Sequence, residues 1–274
     1  MEREALPWRG PGPDRPPLPL PPGPMPLVVA GRPRKRWRYV ALFAEELMLC
    51  AARAEVGPLA QSFWVLWDRE RGRRLSNSVL WPTSREVRLD GPRVEVDADG
   101  MRASLRLGEA APVESICPGE RAWSWTRKRA GMPVEATVET PGRRLTVRGF
   151  GVDDESAGYH DRRTSWRWSA GVGTAADGRP VAWNLVAGVN DPPRNSERAI
   201  WVDGEPSEPP PTRFHGEEGV DGLRFSAETE HAREESLLLV RSRYRLLFGT
   251  FGGRLGDLEL AHGLGVMERH DALW

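Results

Sequence analysis

Acidic, basic and aromatic side chains are concentrated between Gly149 and Gly173, in the stretch GFGVDDESAGYHDRRTSWRWSAGVG. If the middle of this stretch is a β-strand, its side chains alternate between two faces. One face then carries an imidazole, a guanidinium and a hydroxyl that run into two indoles: His160, Arg162, Thr164, Trp166 and Trp168. A face that is polar at one end and aromatic at the other is suited to lining a ligand pocket.

Carboxylic acids stand just before this strand, where they could supply acid–base chemistry. Asp153, Asp154 and Glu155 are expected to precede the strand, with Ser156–Gly158 forming the turn into it. A carboxyl near a histidine can act as a general acid or base, because burial and charged neighbours separate their pKa values. If the protein is an enzyme, the catalytic candidates are therefore Asp153, Asp154 and His160. The structural alternative is that Asp153 or Asp154 pairs with Arg162 or Arg163.

Two other segments could contribute polar groups to the same pocket. Asn184 would point with Ala182 and Val186 from an apolar strand, and an inward amide needs hydrogen-bond partners or a ligand. Glu268 and His270 are two residues apart near the C-terminus. On a strand they lie about 7 Å apart and can both reach one bound group. The alternative for the second pair is a solvated terminal strand.

Cofactor and metal motifs are missing from the sequence. It has no GxGxxG, Walker, GxSxG or HExxH pattern, and Cys50 and Cys117 lack metal-ligand spacing. We therefore expect no cofactor and no metal, and we expect two reduced thiols.

The composition narrows the class of protein. The 39 basic and 39 acidic residues balance to a formal net charge of +0, which argues against a nucleic-acid partner. Twelve tryptophans suit both large cores and apolar ligand sites. We find no signal peptide and no apolar run long enough for an integral membrane segment, so we expect a soluble, cytoplasmic protein. The sequence does not indicate an oligomeric state.

The pattern along the chain is rich in β-strands. Residues 7–33 are dense in proline, which keeps a segment extended and out of a sheet interior. Beyond them, short alternating runs such as Ser62–Trp67, Met101–Leu107 and Val181–Val189 are separated by turn residues, as in barrels and sandwiches. Tyr39–Val56 is ambiguous, because its composition favours a helix but a hairpin turning at Glu45-Glu46 fits equally well.

Several segments resemble a bacterial and fungal family labelled domain of unknown function 2804. They are Lys35–Tyr39, Phe63–Arg69, Tyr159–Trp168, Trp183–Leu185 and Gly265–His270. The resemblance extends over residues 32–274. This family is distantly similar to a lipocalin-like superfamily that includes carotenoid hydratases, tocopherol cyclases, fungal pericyclases and a yeast survival factor linked to ceramide handling. The resemblance implies that Tyr39–Val56 is a pair of strands, and it assigns no catalytic residues.

Together, the residues and the resemblance predict an all-β fold of two packed lipocalin-like antiparallel β-barrel units with a proline-rich N-terminal tail. The expected divisions are a tail at 1–31, an N-terminal unit at 32–150 and a C-terminal unit at 151–274. An eight-stranded barrel can hold one small molecule.

The predicted function is binding of an apolar or amphipathic lipid or isoprenoid. Its polar part would meet the ligand-binding candidates His160, Arg162, Thr164, Asn184, Glu268 and His270, and its apolar body would meet Trp166 and Trp168. One alternative is a cofactor-free enzyme that hydrates, isomerises or cyclises a terpenoid or lipid, with Asp153 or Asp154 as proton donor and His160 or Glu268 as its partner. The other is an interaction scaffold with a filled barrel.

Overall fold

A computed structural model describes residues 6–12, 14–80, 85–237 and 240–273. All the regular secondary structure in these ranges consists of β-strands. In chain order the strands are β1 (Trp8–Gly10), β2 (Val28–Val29), β3 (Arg32–Pro33), β4 (Lys35–Phe43), β5 (Leu47–Val56), β6 (Leu59–Asp68), β7 (Arg73–Leu80), β8 (Val87–Asp90), β9 (Arg93–Ala98), β10 (Met101–Leu107), β11 (Val113–Pro118), β12 (Trp123–Thr140), β13 (Arg143–Gly158), β14 (Arg163–Ala175), β15 (Pro180–Ala187), β16 (Ala199–Val202), β17 (Glu205–Ser207), β18 (Gly219–Val220), β19 (Leu223–Leu237), β20 (Val240–Leu255) and β21 (Leu258–Leu273).

Two large antiparallel sheets contain nearly all of these strands. The first has 11 strands in the order β7-β6-β5-β4-β13-β12-β10-β9-β8, with β11 paired to β12 and β1 paired to β11. The second has 8 strands in the order β17-β16-β15-β14-β21-β20-β19-β18. The predicted all-β fold with antiparallel sheets is confirmed. The chain passes from the first sheet to the second between β13 and β14. The division of the chain into two units at residue 150 stays a prediction.

The ambiguous segment Tyr39–Val56 is a strand pair, as the resemblance implied. β4 and β5 join through residues 44–46, where the Ala44 N–H donates to the Leu47 carbonyl over 3.0 Å. Tertiary packing overrides the helix-forming composition of this segment. Both faces of β4 are buried, and the alternation of a strand places successive side chains in two different cores.

The two faces of β4 pack into different cores. Val40 and Leu42 lie in a core that the first sheet forms by curling on itself, so that β8 packs near β5 and β6. Tyr39, Ala41 and Phe43 face the second sheet and share a core with residues of β14, β15, β20 and β21. The second sheet has a further core on its opposite side. The fold thus stacks three apolar layers, and the middle layer lies between the sheets.

The predicted turn at Ser156–Gly158 is wrong. Those residues and Asp153–Glu155 continue β13, which pairs with β12 on one side and β4 on the other up to Gly158. The glycine permits a close approach there, because a methyl group added at Gly158 would lie 2.6 Å from the Ser124 Cα. The chain turns after it, so His160 and Arg162 lie between strands and do not extend the face of Trp166 and Trp168.

The proline-dense segment packs against the first sheet. β1 pairs with β11, and Trp8, Leu20 and Met25 are buried against Ile116, Trp125 and Tyr159. The Tyr159 hydroxyl donates to the Pro26 carbonyl over 2.7 Å. Within the described ranges, the chain contains no helix of the length and apolarity needed to cross a membrane.

Candidate functional site

A cavity of about 560 Å³ lies between the two sheets, beside their shared core. This volume falls within the range of small-molecule pockets, roughly 300–1,000 Å³. Leu59 lines the cavity and is 52% exposed, so the cavity reaches the surface at the β5–β6 turn.

Strand register explains which side chains meet there. In the second sheet, Trp166 of β14 pairs with His270, His270 pairs with Tyr244, and Tyr244 pairs with Arg233. One row further along, Trp168 pairs with Glu268. Residues in such rows share a face, so the second sheet presents a continuous band of rings and polar groups to the cavity.

The first sheet supplies the opposite wall by the same rule. Lys128 of β12 pairs with Asp154, Asp154 with Tyr39, Tyr39 with Ala52, and Ala52 with Phe63. The small side chain of Ala52 leaves room between the two aromatic rings that flank it.

Aromatic rings make up much of the wall. They belong to Trp37, Tyr39, Phe63, Trp166, Trp168 and Tyr244. Trp37 stacks on Trp166 with centroids 6.1 Å apart and planes 7° from parallel, and Tyr39 meets Trp168 edge-on at 5.2 Å. Rings at these spacings form an ordered apolar surface that can accept a flat or extended hydrocarbon body.

Glu268 is the acidic group at the centre of this wall. Its Oε1 accepts a hydrogen bond from the Trp166 indole over 2.7 Å, and its Oε2 accepts one from the Tyr244 hydroxyl over 3.0 Å. Burial raises the pKa of Glu268 to about 7, although these two hydrogen bonds oppose the shift. The carboxyl therefore exchanges a proton near neutral pH, which is what a general acid requires.

A buried ionic network closes one flank of the cavity. The Lys128 ammonium lies 2.5 Å from Asp154 Oδ1 and 3.3 Å from Glu197 Oε1, and all three side chains are buried. Asn190 donates to Glu197 over 3.0 Å and accepts from the Ser124 hydroxyl. Burial raises the pKa of both carboxyls, and the charge of Lys128 opposes this shift. Burial lowers the pKa of Lys128, but Asp154 and Glu197 outweigh this effect, so the pKa of Lys128 is raised.

Some of the residues selected from the sequence line this cavity. Those that do are Asp154, Trp166, Trp168, Glu268 and His270. Asn184 lies directly behind the wall, where it accepts from the Trp168 indole over 2.8 Å and donates to the Glu197 carbonyl over 3.0 Å. It therefore fixes the orientation of a cavity ring.

The other selected residues lie elsewhere. Asp153 is engaged by Arg38 and Arg129, and Asp154 by Lys128, so the predicted pairing of these acids with Arg162 or Arg163 is wrong. Arg162 is exposed, and Thr164 is buried but does not border the cavity in the part of the chain described.

His160 packs its ring on Trp37 at 4.8 Å. No described residue hydrogen-bonds either ring nitrogen. Burial lowers the pKa of His160 to about 3, so the imidazole is neutral.

Sequence reasoning missed the wall formed by the first sheet, and it missed Glu197 and Arg233, which belong to the part of the chain that forms the second sheet. The missed residues are Trp37, Tyr39, Phe63, Lys128, Glu197 and Arg233. One signal was available, because Lys128 is one of only two lysines in a chain otherwise charged by arginine. No group of three His, Cys, Asp or Glu side chains suited to a metal ion occurs among the described residues.

Comparison with known proteins gives one family match and several structures that are similar to this chain. Residues 82–208 match the family described as "Domain of unknown function (DUF2804)", which confirms the resemblance found in the sequence over that part of the chain. Kievitone hydratase from Nectria haematococca is similar in structure, with 9% identity, a TM-score of 0.47, and coverage of 86% of this chain and 88% of that one. CghA is similar at 13% identity with a TM-score of 0.43, covering 86% and 87%. No curated protein matches the sequence.

Proposed function

We propose that this protein binds an apolar or amphipathic small molecule of lipid or isoprenoid type in the cavity between its two sheets. The observation that supports this most is the composition of the wall, where six aromatic side chains surround about 560 Å³ beside an apolar core. Such a wall removes apolar ligand surface from water, which is the main favourable contribution to binding a hydrophobic molecule.

Native mass spectrometry of the full chain purified from a bacterial host tests the proposal. A stoichiometric adduct that extracts into organic solvent and is identified as a lipid or isoprenoid would support it. A mass with no adduct, unchanged after incubation with a panel of fatty acids, sterols and isoprenoids, would reject ligand binding and favour a scaffold.

Shortening Trp166 to alanine should weaken binding of an apolar probe. With the methyl ester of cis-parinaric acid as probe, Trp166→Ala should raise the Kd about 30-fold, the equivalent of about 2 kcal/mol of lost apolar contact. Fluorescence titration measures the change. Trp123→Ala is the matched control, because Trp123 packs with the N-terminal segment away from the cavity. Equal affinity of the two variants would place the ligand elsewhere.

Glu268 supports a second candidate, a cofactor-free enzyme acting on an alkene. In this chemistry the Glu268 O–H bond breaks as a C–H bond forms on the ligand. The carbocation produced then either adds water, which releases a proton to the carboxylate, or loses a neighbouring proton to it. The rings of Trp166, Trp168 and Tyr244 would stabilise the positive charge in between.

The enzyme candidate predicts a sharp separation of turnover from binding. Glu268→Gln should reduce conversion of a terpenoid or lipid substrate by about 10²–10⁴-fold, as for a lost general acid, and leave the Kd for the parinaric ester close to wild type. Product analysis by liquid chromatography and mass spectrometry measures turnover. Asp153→Asn should keep activity, because two guanidinium groups already engage that carboxylate. No conversion of the panel by the wild type would leave binding as the whole function.

A further inference from the structure

Arg233 of β19 lies in the cavity wall opposite the Lys128 flank. Its guanidinium stands over the Phe63 ring at 5.6 Å and the Tyr244 ring at 5.7 Å from their centroids, one ring from each sheet. The side chain is 15% exposed. A guanidinium in this position is held by aromatic faces, which do not supply hydrogen-bond acceptors in the plane of its N–H groups.

Two of the three nitrogens of this guanidinium make no hydrogen bond within the described part of the chain. Its Nε and Nη1 groups are buried with no hydrogen-bond acceptor. Glu235 Oε1 lies 3.4 Å from Nε, but the same oxygen accepts a hydrogen bond from Gln61 Nε2 over 2.9 Å. Buried donors without acceptors are costly, so an incoming oxyanion would gain from binding here.

The other cations that border the cavity already have hydrogen-bonded carboxylates. Lys128 binds Asp154, Arg38 binds Asp153, and Arg53 binds Glu55. Among the described arginines and lysines of the cavity, Arg233 is the only one that makes no hydrogen bond to the carboxylate beside it, which is that of Glu235. The guanidinium with unfilled hydrogen bonds is thus located at one defined point of the wall.

This point is close to the opening of the cavity. Gln61, which contacts Glu235, is two residues from the exposed Leu59 on the same strand. A ligand bound with its charged end near Arg233 would keep that end close to water. Its hydrocarbon part would extend between the sheets towards Trp166 and Trp168.

We infer that the ligand is an apolar molecule carrying a carboxylate, and that Arg233 binds this carboxylate at the cavity mouth. The inference rests on the proposed binding function and specifies its ligand class. A guanidinium offers two parallel N–H groups that match the two oxygens of a carboxylate, which an ester cannot replace. Fatty acids and isoprenoid acids share this chemistry.

Binding of cis-parinaric acid and of its methyl ester to the full chain at pH 7.5 tests the inference. Fluorescence titration should show the wild type binding the acid about tenfold or more tightly than the ester, as expected for a charge-assisted hydrogen bond. Arg233→Met, which keeps the apolar stem, should lose this preference and bind the ester as the wild type does. Retained ester binding also shows that the variant is folded. Arg224→Met, an exposed position on the same strand, should keep the preference.

Each remaining outcome decides between the two proposals. Equal binding of acid and ester by the wild type, or an unchanged preference in Arg233→Met, would overturn the carboxylate inference and leave the binding function standing. Failure of both probes to bind the wild type would overturn the proposed function, and the inference would fall with it. Palmitic acid and farnesoic acid as competitors of parinaric acid then distinguish the two sources of carboxylate.

Discussion

Replacing Lys128 with methionine is expected to lower the free energy of unfolding by about 3–5 kcal/mol at pH 8. The ammonium lies between Asp154 and Glu197 in a buried site, so its removal leaves two carboxylates without their shared cation. Methionine has a similar length and no charge, so the loss reports electrostatics rather than a cavity. Urea unfolding followed by tryptophan fluorescence measures it.

The effect should shrink as pH falls, because burial already raises the pKa of both acids and they can become neutral. Arg127→Met is the matched control. It is the adjacent residue and pairs with Glu155, but its side chain is 41% exposed, so the expected loss is below about 1 kcal/mol. Adding Asp154→Asn and Glu197→Gln to Lys128→Met should restore much of the stability. Equal losses for Lys128→Met and Arg127→Met at pH 8 would contradict the buried network.

Glu268→Gln should make the protein more stable than the wild type at pH 8, by an amount on the order of 3 kcal/mol. The pKa of Glu268 is raised from 4.5 to about 7 in the folded protein. A carboxyl with a raised folded pKa stabilises the fold fully below its unfolded pKa, and this contribution is lost as pH rises through the folded value. The wild type should therefore lose stability between about pH 4.5 and 7.

The glutamine variant should lack this part of the pH dependence, because its neutral amide imitates the protonated acid and still accepts from Trp166. Denaturant midpoints taken at half-unit intervals from pH 4.5 to 8 give the comparison. Glu259→Gln, exposed on the same strand, should follow the wild-type curve. If the Glu268→Gln and wild-type curves run parallel, Glu268 is ionised throughout and the proton-donor candidate fails.

Local sequence patterns were sufficient for much of the second sheet. Trp166 with Trp168 and Glu268 with His270 were placed on common strand faces, and they do line one cavity. This worked because alternation within a single strand depends only on backbone geometry. The partnership between β14 and β21 could not be inferred from spacing, because 82 residues of chain lie between the end of one strand and the start of the other.

The opposite wall required information that no local pattern contains. Tyr39 and Phe63 reach the cavity because β4, β5 and β6 pair in a particular register and their sheet packs on the other one. For His160 a local pattern was present but predicted the wrong position. The sequence predicts a turn at Gly158, two residues before His160, whereas this glycine allows close strand packing and the chain turns only afterwards.

The double burial of β4 has a consequence for how this protein can change over evolutionary time. Odd-numbered positions from Tyr39 to Phe43 face the layer between the sheets, and even-numbered positions face the interior of the first sheet. Tyr39 is the odd position that lines the cavity, so substitutions there can alter the cavity without touching the packing that holds the first sheet closed. Descendants could diverge in the shape of this cavity while inheriting one unchanged scaffold.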